Sequence, residues 1–335
     1  MNRILIVKLG ALGDVVHAIP VAAALRRAFP SVRIDWLVGP KHREILDLVP
    51  VIDRRLVLND SRVVSAVREL RANAYDVAID LQGLIKSAVL ARASGAGRVI
   101  GFTSRYARER IASWFYTDVH DPGGGGMYHI DERHVVYTNL GLLQLLGIGV
   151  DAPEFPLDHV ESAVAAYVAR ETGGRYAILN PGAAWPNKRW PPSRLAAVAI
   201  ELRARHGLSS VAVWGPGEEA LARAVVDHSS GAAMLSPKTT IADVVALARG
   251  ASLYLSGDTG PAHIAAAVGT PVVGIYGPTR PSRNGPWSAA DVTVSRADIC
   301  QCHHLRHCRL QTMCLEDIQV AEVLTAVEKR MEARG

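Results

Sequence analysis

The chain has 335 residues, 49% apolar and 21% charged, a balance that excludes disorder and promises a large packed core. At roughly 150 residues per domain the length favours two domains, with one large barrel left open. Thirty-seven Lys and Arg against 32 Asp and Glu leave a formal charge of +5, which suits phosphate groups or an anionic membrane face and is too weak and dispersed to argue for nucleic acid.

Aromatics are sparse, so small and β-branched residues do the packing, as in parallel strands buried under Ala-rich helices. Strands are predicted at 4–7, 34–38, 56–58, 77–80 and 98–101, with helices at 16–29, 61–71 and 84–93 between them. This alternation means βαβ units with right-handed crossovers. A Gly-rich break at 123–126 precedes a predicted helix at 132–146, and 147–156 reads as a linker. The theme then restarts, with strands at 176–179, 210–214, 233–235, 253–256 and 272–276. Helices are predicted at 193–205, 218–226, 241–249 and 262–267, and a last one at 320–331. The expected class is α/β: two Rossmann-like, doubly wound parallel-sheet domains, 1–152 and 153–335, facing across a cleft. The last helix is expected to pack back on the first domain. Ligands of such folds bind beyond the carboxyl ends of the strands.

The apolar stretch 140–150 is interrupted by Gln144 and is too short for a bilayer. Lys8 cuts the run 4–7 too short for a signal peptide, so a cytoplasmic protein is expected. All four cysteines fall between Cys300 and Cys314, unlike a disulfide framework spread over a secreted core.

Four loops offer chemistry. The first is Lys8-Leu9-Gly10-Ala11-Leu12-Gly13-Asp14, whose glycines permit a tight turn before a helix N-terminus. Its Gly-x-x-Gly spacing, and Asp35 inside the second strand instead of closing it, argue against a nicotinamide dinucleotide. Asp14 can accept a proton from a hydroxyl nucleophile; the plainer alternative is that it caps a helix starting at Val15. In Ser256-Gly257-Asp258-Thr259-Gly260-Pro261-Ala262-His263, the Thr259 and Gly260 amides and the Thr hydroxyl suit a diphosphate at a helix N-terminus, with His263 as a further donor. An ordinary N-cap with a packed histidine is the alternative. The segment from Asn180 to Trp190 carries Lys188, able to neutralise a leaving group or simply part of a solvated basic loop. In Trp214-Gly215-Pro216-Gly217-Glu218-Glu219 either carboxylate could accept from ribose hydroxyls, or both could sit in a helix first turn.

Together these loops resemble glycosyltransferase family 9, the bacterial lipopolysaccharide heptosyltransferases, over almost the whole chain. The likeness runs from the start ending at Asp14, through Asp80-Leu81-Gln82-Gly83-Leu84-Ile85-Lys86-Ser87 and Lys188-Arg189-Trp190, to Asp258–His263 and Tyr276-Gly277-Pro278-Thr279. It implies a GT-B architecture, with an acceptor-binding N-terminal domain and a nucleotide-sugar-binding C-terminal one. It further implies inverting transfer without a required metal or other cofactor, from ADP-L-glycero-D-manno-heptose to a Kdo/heptose–lipid A inner-core acceptor. Such an enzyme works in the cytoplasm, peripherally on the anionic inner face of the inner membrane. A related GT-B transferase using another nucleotide sugar is the alternative.

Carried over, Asp14 matches the general base and Lys188 the phosphate-contacting lysine. Asn180, Gly182, Asp258, Thr259, Gly260 and His263 match the donor site, with Asp258 near the sugar hydroxyls. Glu218 or Glu219 matches an acidic donor contact. Gly13, Lys86, Arg105 and Arg108 fall to the acceptor, and Arg110 joins their basic cluster. Thr239 stands after Pro237-Lys238 where relatives carry Met beside adenine. Cys300, Cys302, Cys308 and Cys314 resemble a Cys-rich insertion of some members, with thiolates suited to a structural zinc or iron, although Cys-x-Cys is not the common zinc knuckle.

Overall fold

The computed structural model describes residues 1–59, 63–126, 133–149, 152–300, 302, 305–308 and 313–333. The chain divides into two compact units, Met1–Asp158 and His159–Gly335. The division falls slightly beyond 152 because the linker is tied to the first unit: Asp158 N–H donates to Leu48 O at 2.8 Å, and Glu154 pairs with Arg27.

In the first unit β1 (Arg3–Val7), β2 (Arg33–Val38), β3 (Arg54–Val57), β4 (Val77–Asp80), β5 (Arg98–Phe102) and β6 (Asp118–His120) form one parallel sheet, ordered β3-β2-β1-β4-β5-β6. In the second, β7 (Tyr176–Asn180), β8 (Ser209–Ala212), β9 (Ala233–Leu235), β10 (Leu253–Gly257), β11 (Val272–Tyr276) and β12 (Val292–Ser295) repeat the plan as β12-β11-β10-β7-β8-β9. The central strands β4, β7 and β10 are buried along their whole length, which is why they read as continuous apolar runs. Truncating a core side chain such as Leu5 or Leu255, each fully buried, costs about 2–5 kcal/mol.

Several elements differ from expectation. The first predicted helix is two, Leu12–Val16 and Ile19–Ala28, the second with Pro20 in its first turn, where proline's missing N–H costs nothing. The helix Ala163–Thr172 had no predicted counterpart. Ser162 caps it by accepting from Ala165 N–H at 3.0 Å, and Gly173 ends it with φ +65°. The stretch predicted as one helix at 132–146 is a helix Val135–Gly141 followed by a 3-10 turn Leu142–Leu146, residue 132 lying outside the described residues. Edge strands β6 and β12 carry half-exposed residues and no apolar run. The last helix, Val320–Glu332, packs on β11, β12 and the helix Pro192–His206. Within the second unit, Arg330 Nε pins it to the buried side chain of Asp291 at 2.7 Å. Among the described residues no helix is long and apolar enough to cross a membrane.

Candidate active site

In the second unit the connections run from β7 outward to β8 and β9, and through β10 to β11 and β12 on the other side. Loops after β7 and β10 therefore diverge at a topological switch point, where α/β sheets bind ligands. Both chemistry-bearing segments lie there.

Asp258, directly after β10, is the hub. Its Oδ2 accepts from Lys188 Nζ at 2.5 Å and from Thr279 Oγ1 at 2.8 Å, and its Oδ1 from His263 Nε2 at 3.0 Å. Burial alone pushes this carboxyl up, but the His263 hydrogen bond and the Lys188 charge outweigh burial and hold it far below the usual carboxylate range. The resemblance puts Asp258 near the sugar; here its oxygens hold three protein groups. Lys188 closes the 3-10 turn Pro186–Lys188, and its ammonium sits 4.5 Å from the centroid of the Trp185 ring. The loop can approach because residue 257 is glycine: a Cβ there would lie 2.5 Å from Lys188 O.

Thr259 is the N-cap of the helix Gly260–Ala267, its hydroxyl accepting from Ala262 N–H at 3.3 Å. The same oxygen accepts from Asn180 Nδ2 at 3.2 Å and lies 3.1 Å from Ser256 Oγ. The hydroxyl thus serves the cap and the strand ends, while the helix still directs its positive pole outward at Gly260. Asn180 Oδ1 in turn accepts from Gly182 N–H at 3.1 Å. Of the two adjacent glutamates, Glu218 faces this loop. A Cβ on Gly182 would lie 2.1 Å from Glu218 Oε2, which accepts from Gly215 N–H at 3.2 Å. Glu219 points elsewhere, pairing with Arg223 one helical turn on at 2.6 Å. Thr239 lies half-buried in the loop after β9.

The first unit has the same switch point, between β1 and β4. The loop after β1 is held by Gln82, whose Oε1 accepts from Leu9 and Gly10 N–H groups at 3.1 and 3.3 Å. Asp80 in turn holds Gln82's loop. Its Oδ1 accepts from the Gln82 and Gly83 amides at 2.8 and 3.3 Å, and its Oδ2 from Ser87 Oγ and Tyr116 OH at 2.8 and 2.7 Å. Burial pushes this carboxyl up against the pull of those donors. Gly83, at φ +70°, packs against the backbone of Ala107 and Arg108.

Asp14 does not cap a helix at Val15. It lies inside the short helix Leu12–Val16 and reaches back to accept from Ala11 N–H at 3.2 Å. Arg108 Nη2 approaches its Oδ2 at 3.5 Å, with 16% of the Asp14 side chain exposed. Asp14 also acts on His42, whose pKa is lowered by burial and Lys41 and partly restored by this carboxylate. Gly13 carries the helix's first turn, its carbonyl accepting from His17 N–H at 2.9 Å. Lys86 stands exposed in the first turn of the helix Ile85–Ala93. Arg105 is engaged with the loop after β6, with Asp121 Oδ1 at 3.2 Å and Gly124 O at 3.3 Å. The sequence alone gave no role to Asp80, Gln82, Trp185 or Thr279, although Asp80, Gln82 and Thr279 belong to the motifs that carry the resemblance.

The four cysteines form no disulfide and pack together, with Cys300, Cys302 and Cys314 buried. Cys302 Sγ lies 3.3 Å from Cys308 Sγ. Burial raises the Cys300 thiol and, with Cys300 itself, pushes Cys314 up to about 12. Among the described residues no group of three or more His, Cys, Asp or Glu side chains is placed to hold a metal ion.

Two parallel six-stranded sheets with flanking helices, each with polar loops at its switch point, match the GT-B architecture of solved heptosyltransferases. The chain belongs to glycosyltransferase family 9 (heptosyltransferase), whose profile matches residues 63–313. It is 30% identical over 299 residues to lipopolysaccharide heptosyltransferase 1 of Escherichia coli K12, covering 84% of this chain and 90% of that protein. The Pseudomonas aeruginosa protein of the same name is 28% identical over 309 residues, covering 87% and 82%. The structure of E. coli heptosyltransferase WaaC with ADP-2-deoxy-2-fluoro heptose is 26% identical with a TM-score of 0.74, covering 98% of this chain and 99% of that one.

Proposed function

We propose that this enzyme transfers heptose from ADP-L-glycero-D-manno-heptose to a lipid-linked, phosphorylated inner-core saccharide of lipopolysaccharide, with inversion and without a metal. Family membership and the ADP-heptose analogue bound by WaaC support the donor. The observation that carries the reading is the Lys188–Asp258–His263 cluster at the Gly260 helix N-terminus. There a fixed lysine, a histidine and the positive pole of the helix offer donors to a diphosphate. In this reading Asn180, Gly182, Glu218 and Thr239 line the nucleoside and sugar, and Asp258 acts by fixing Lys188 and His263.

The acceptor hydroxyl attacks the anomeric carbon as the bond to the diphosphate oxygen breaks, through an oxocarbenium-like transition state. Asp14 takes the hydroxyl proton, and Lys188 and the helix terminus receive the charge that leaves with ADP. Base catalysis of this kind supplies about 10²–10⁴-fold, and positioning and electrostatics the rest. Arg108, beside Asp14, and Lys86 suit the phosphates and carboxylates of the acceptor. The enzyme works in the cytoplasm against an anionic membrane face, where positive charge is favoured. The cysteine segment is structural in this reading.

A nucleotide-sugar panel tests this most broadly. ADP-heptose is expected to bind and turn over well ahead of UDP- and GDP-sugars. Preference for another nucleotide sugar would replace the heptose reading with that of a related GT-B transferase.

A further inference from the structure

The helix Ile85–Ala93 and the 3-10 turn Arg110–Phe115 pack side by side over a small core of Ala88, Ala107 and Ala112. Their other faces point outward together and leave four apolar side chains in water. Ile85 and Val89, one helical turn apart, are 36% and 40% exposed, while Ile111 is 47% and Trp114 80% exposed. No other large apolar side chain among the described residues is as exposed as Trp114. Apolar residues scattered singly need no explanation, but a cluster on two adjoining elements marks an interaction surface.

The charges around the cluster are mostly positive. Lys86, Arg92, Arg108 and Arg110 are all exposed on or beside these two elements. The one carboxylate among them, Glu109, is turned onto the Ile85 N–H at 2.6 Å. Exposed tryptophan and isoleucine ringed by lysine and arginine match the headgroup layer of an anionic bilayer, where an indole sits with one side apolar and one wet. Each nearby cation adds further attraction to such a surface.

We infer that this face docks the enzyme on an anionic lipid bilayer. Trp114 and Ile111 enter the interface, Ile85 and Val89 flank them, and the basic side chains meet lipid phosphates. The inference rests on the reading that the acceptor is lipid-linked, and names the surface that brings the enzyme to it.

Sedimentation with vesicles free of any saccharide tests the docking apart from the chemistry. The protein should bind phosphatidylglycerol–phosphatidylethanolamine vesicles and not phosphatidylcholine vesicles, with binding weakened by salt. Trp114→Ser should lower partitioning about tenfold or more, from the apolar surface no longer buried, and leave the melting temperature and donor hydrolysis unchanged. Brominated lipids should quench tryptophan emission in the unaltered protein and lose most of that effect in Trp114→Phe. Absence of binding to anionic vesicles, or binding that Trp114→Ser does not alter, overturns the proposal. So does a vesicle-free dimer abolished by Trp114→Ser, which would give the face to a second copy. Binding as expected with no turnover of ADP-heptose would leave the docking intact and remove the transferase reading instead.

Discussion

Asp80 and Asp258 occupy corresponding places in the two units, each at the carboxyl end of the strand beside its sheet's first strand. Both are buried, and both end a strand that opens onto a polar loop. Their partners differ. Asp258 is met by Lys188 and His263 and is held far below the usual carboxylate range, whereas Asp80 meets only hydroxyls and amides and is pushed up by burial. One carboxylate thus steadies a lysine and a histidine placed to suit an anionic donor. The other braces a backbone turn, and through Gln82 the loop that leads to Asp14.

Substituting the two hubs gives the sharpest contrast. Asp258→Asn leaves a buried ammonium without its counter-charge and should cost about 3–5 kcal/mol of stability, with donor binding lost. The depressed carboxyl stabilises the fold above the ordinary value near 4 and ceases to as pH falls through its folded value. The gap between variant and unaltered protein in thermal melts should therefore close towards acid. A gap independent of pH would show that Asp258 gains nothing from Lys188 and His263. Gly182→Ala drives its Cβ into Glu218 Oε2, the movable end of a side chain, so folding should survive. ADP-heptose affinity should fall about tenfold, the worth of one hydrogen bond to a charged group; unchanged titrations would remove Glu218 from the donor site. Gln82→Ala frees the Leu9 and Gly10 amides and should cost about 1–2 kcal/mol, lowering turnover while ADP affinity holds. A parallel loss of ADP affinity would mean the effect is not confined to the acceptor loop.

Asp80→Asn should be the mildest, near 1 kcal/mol, and its pH trend should oppose that of Asp258→Asn. A raised carboxyl contributes stability below its unfolded pKa and loses it as pH rises through the folded value. The deficit of the variant should therefore shrink as pH rises. A deficit that grows with pH would contradict the scaffold role.

Much of this was legible in the residues because the loops combine glycine, carboxylate and cation in few ways. Gly10, Asp14, Lys188, Asp258, Thr259 and His263 stood out since each type is costly or unusual at a strand end unless the backbone or a ligand needs it. What stayed hidden depends on residues far apart in the chain. Thr279 matters because β11 lies beside β10 and brings its hydroxyl to Asp258. Glu218 is distinguished from Glu219 by the space that Gly182 leaves across the loop and by the partners each carboxylate takes. The edge strands β6 and β12 were missed because one partner strand and half-exposed residues leave no apolar signature.

The central claim is that Asp14 takes the acceptor's proton while the second unit holds the donor, and heptose transfer by Asp14→Asn tests it most directly. Product formation should fall by about 10²–10⁴-fold, with ADP affinity within twofold, about 0.4 kcal/mol, of the unaltered enzyme. Transfer at an undiminished rate, or ADP affinity lost along with it, would contradict the account.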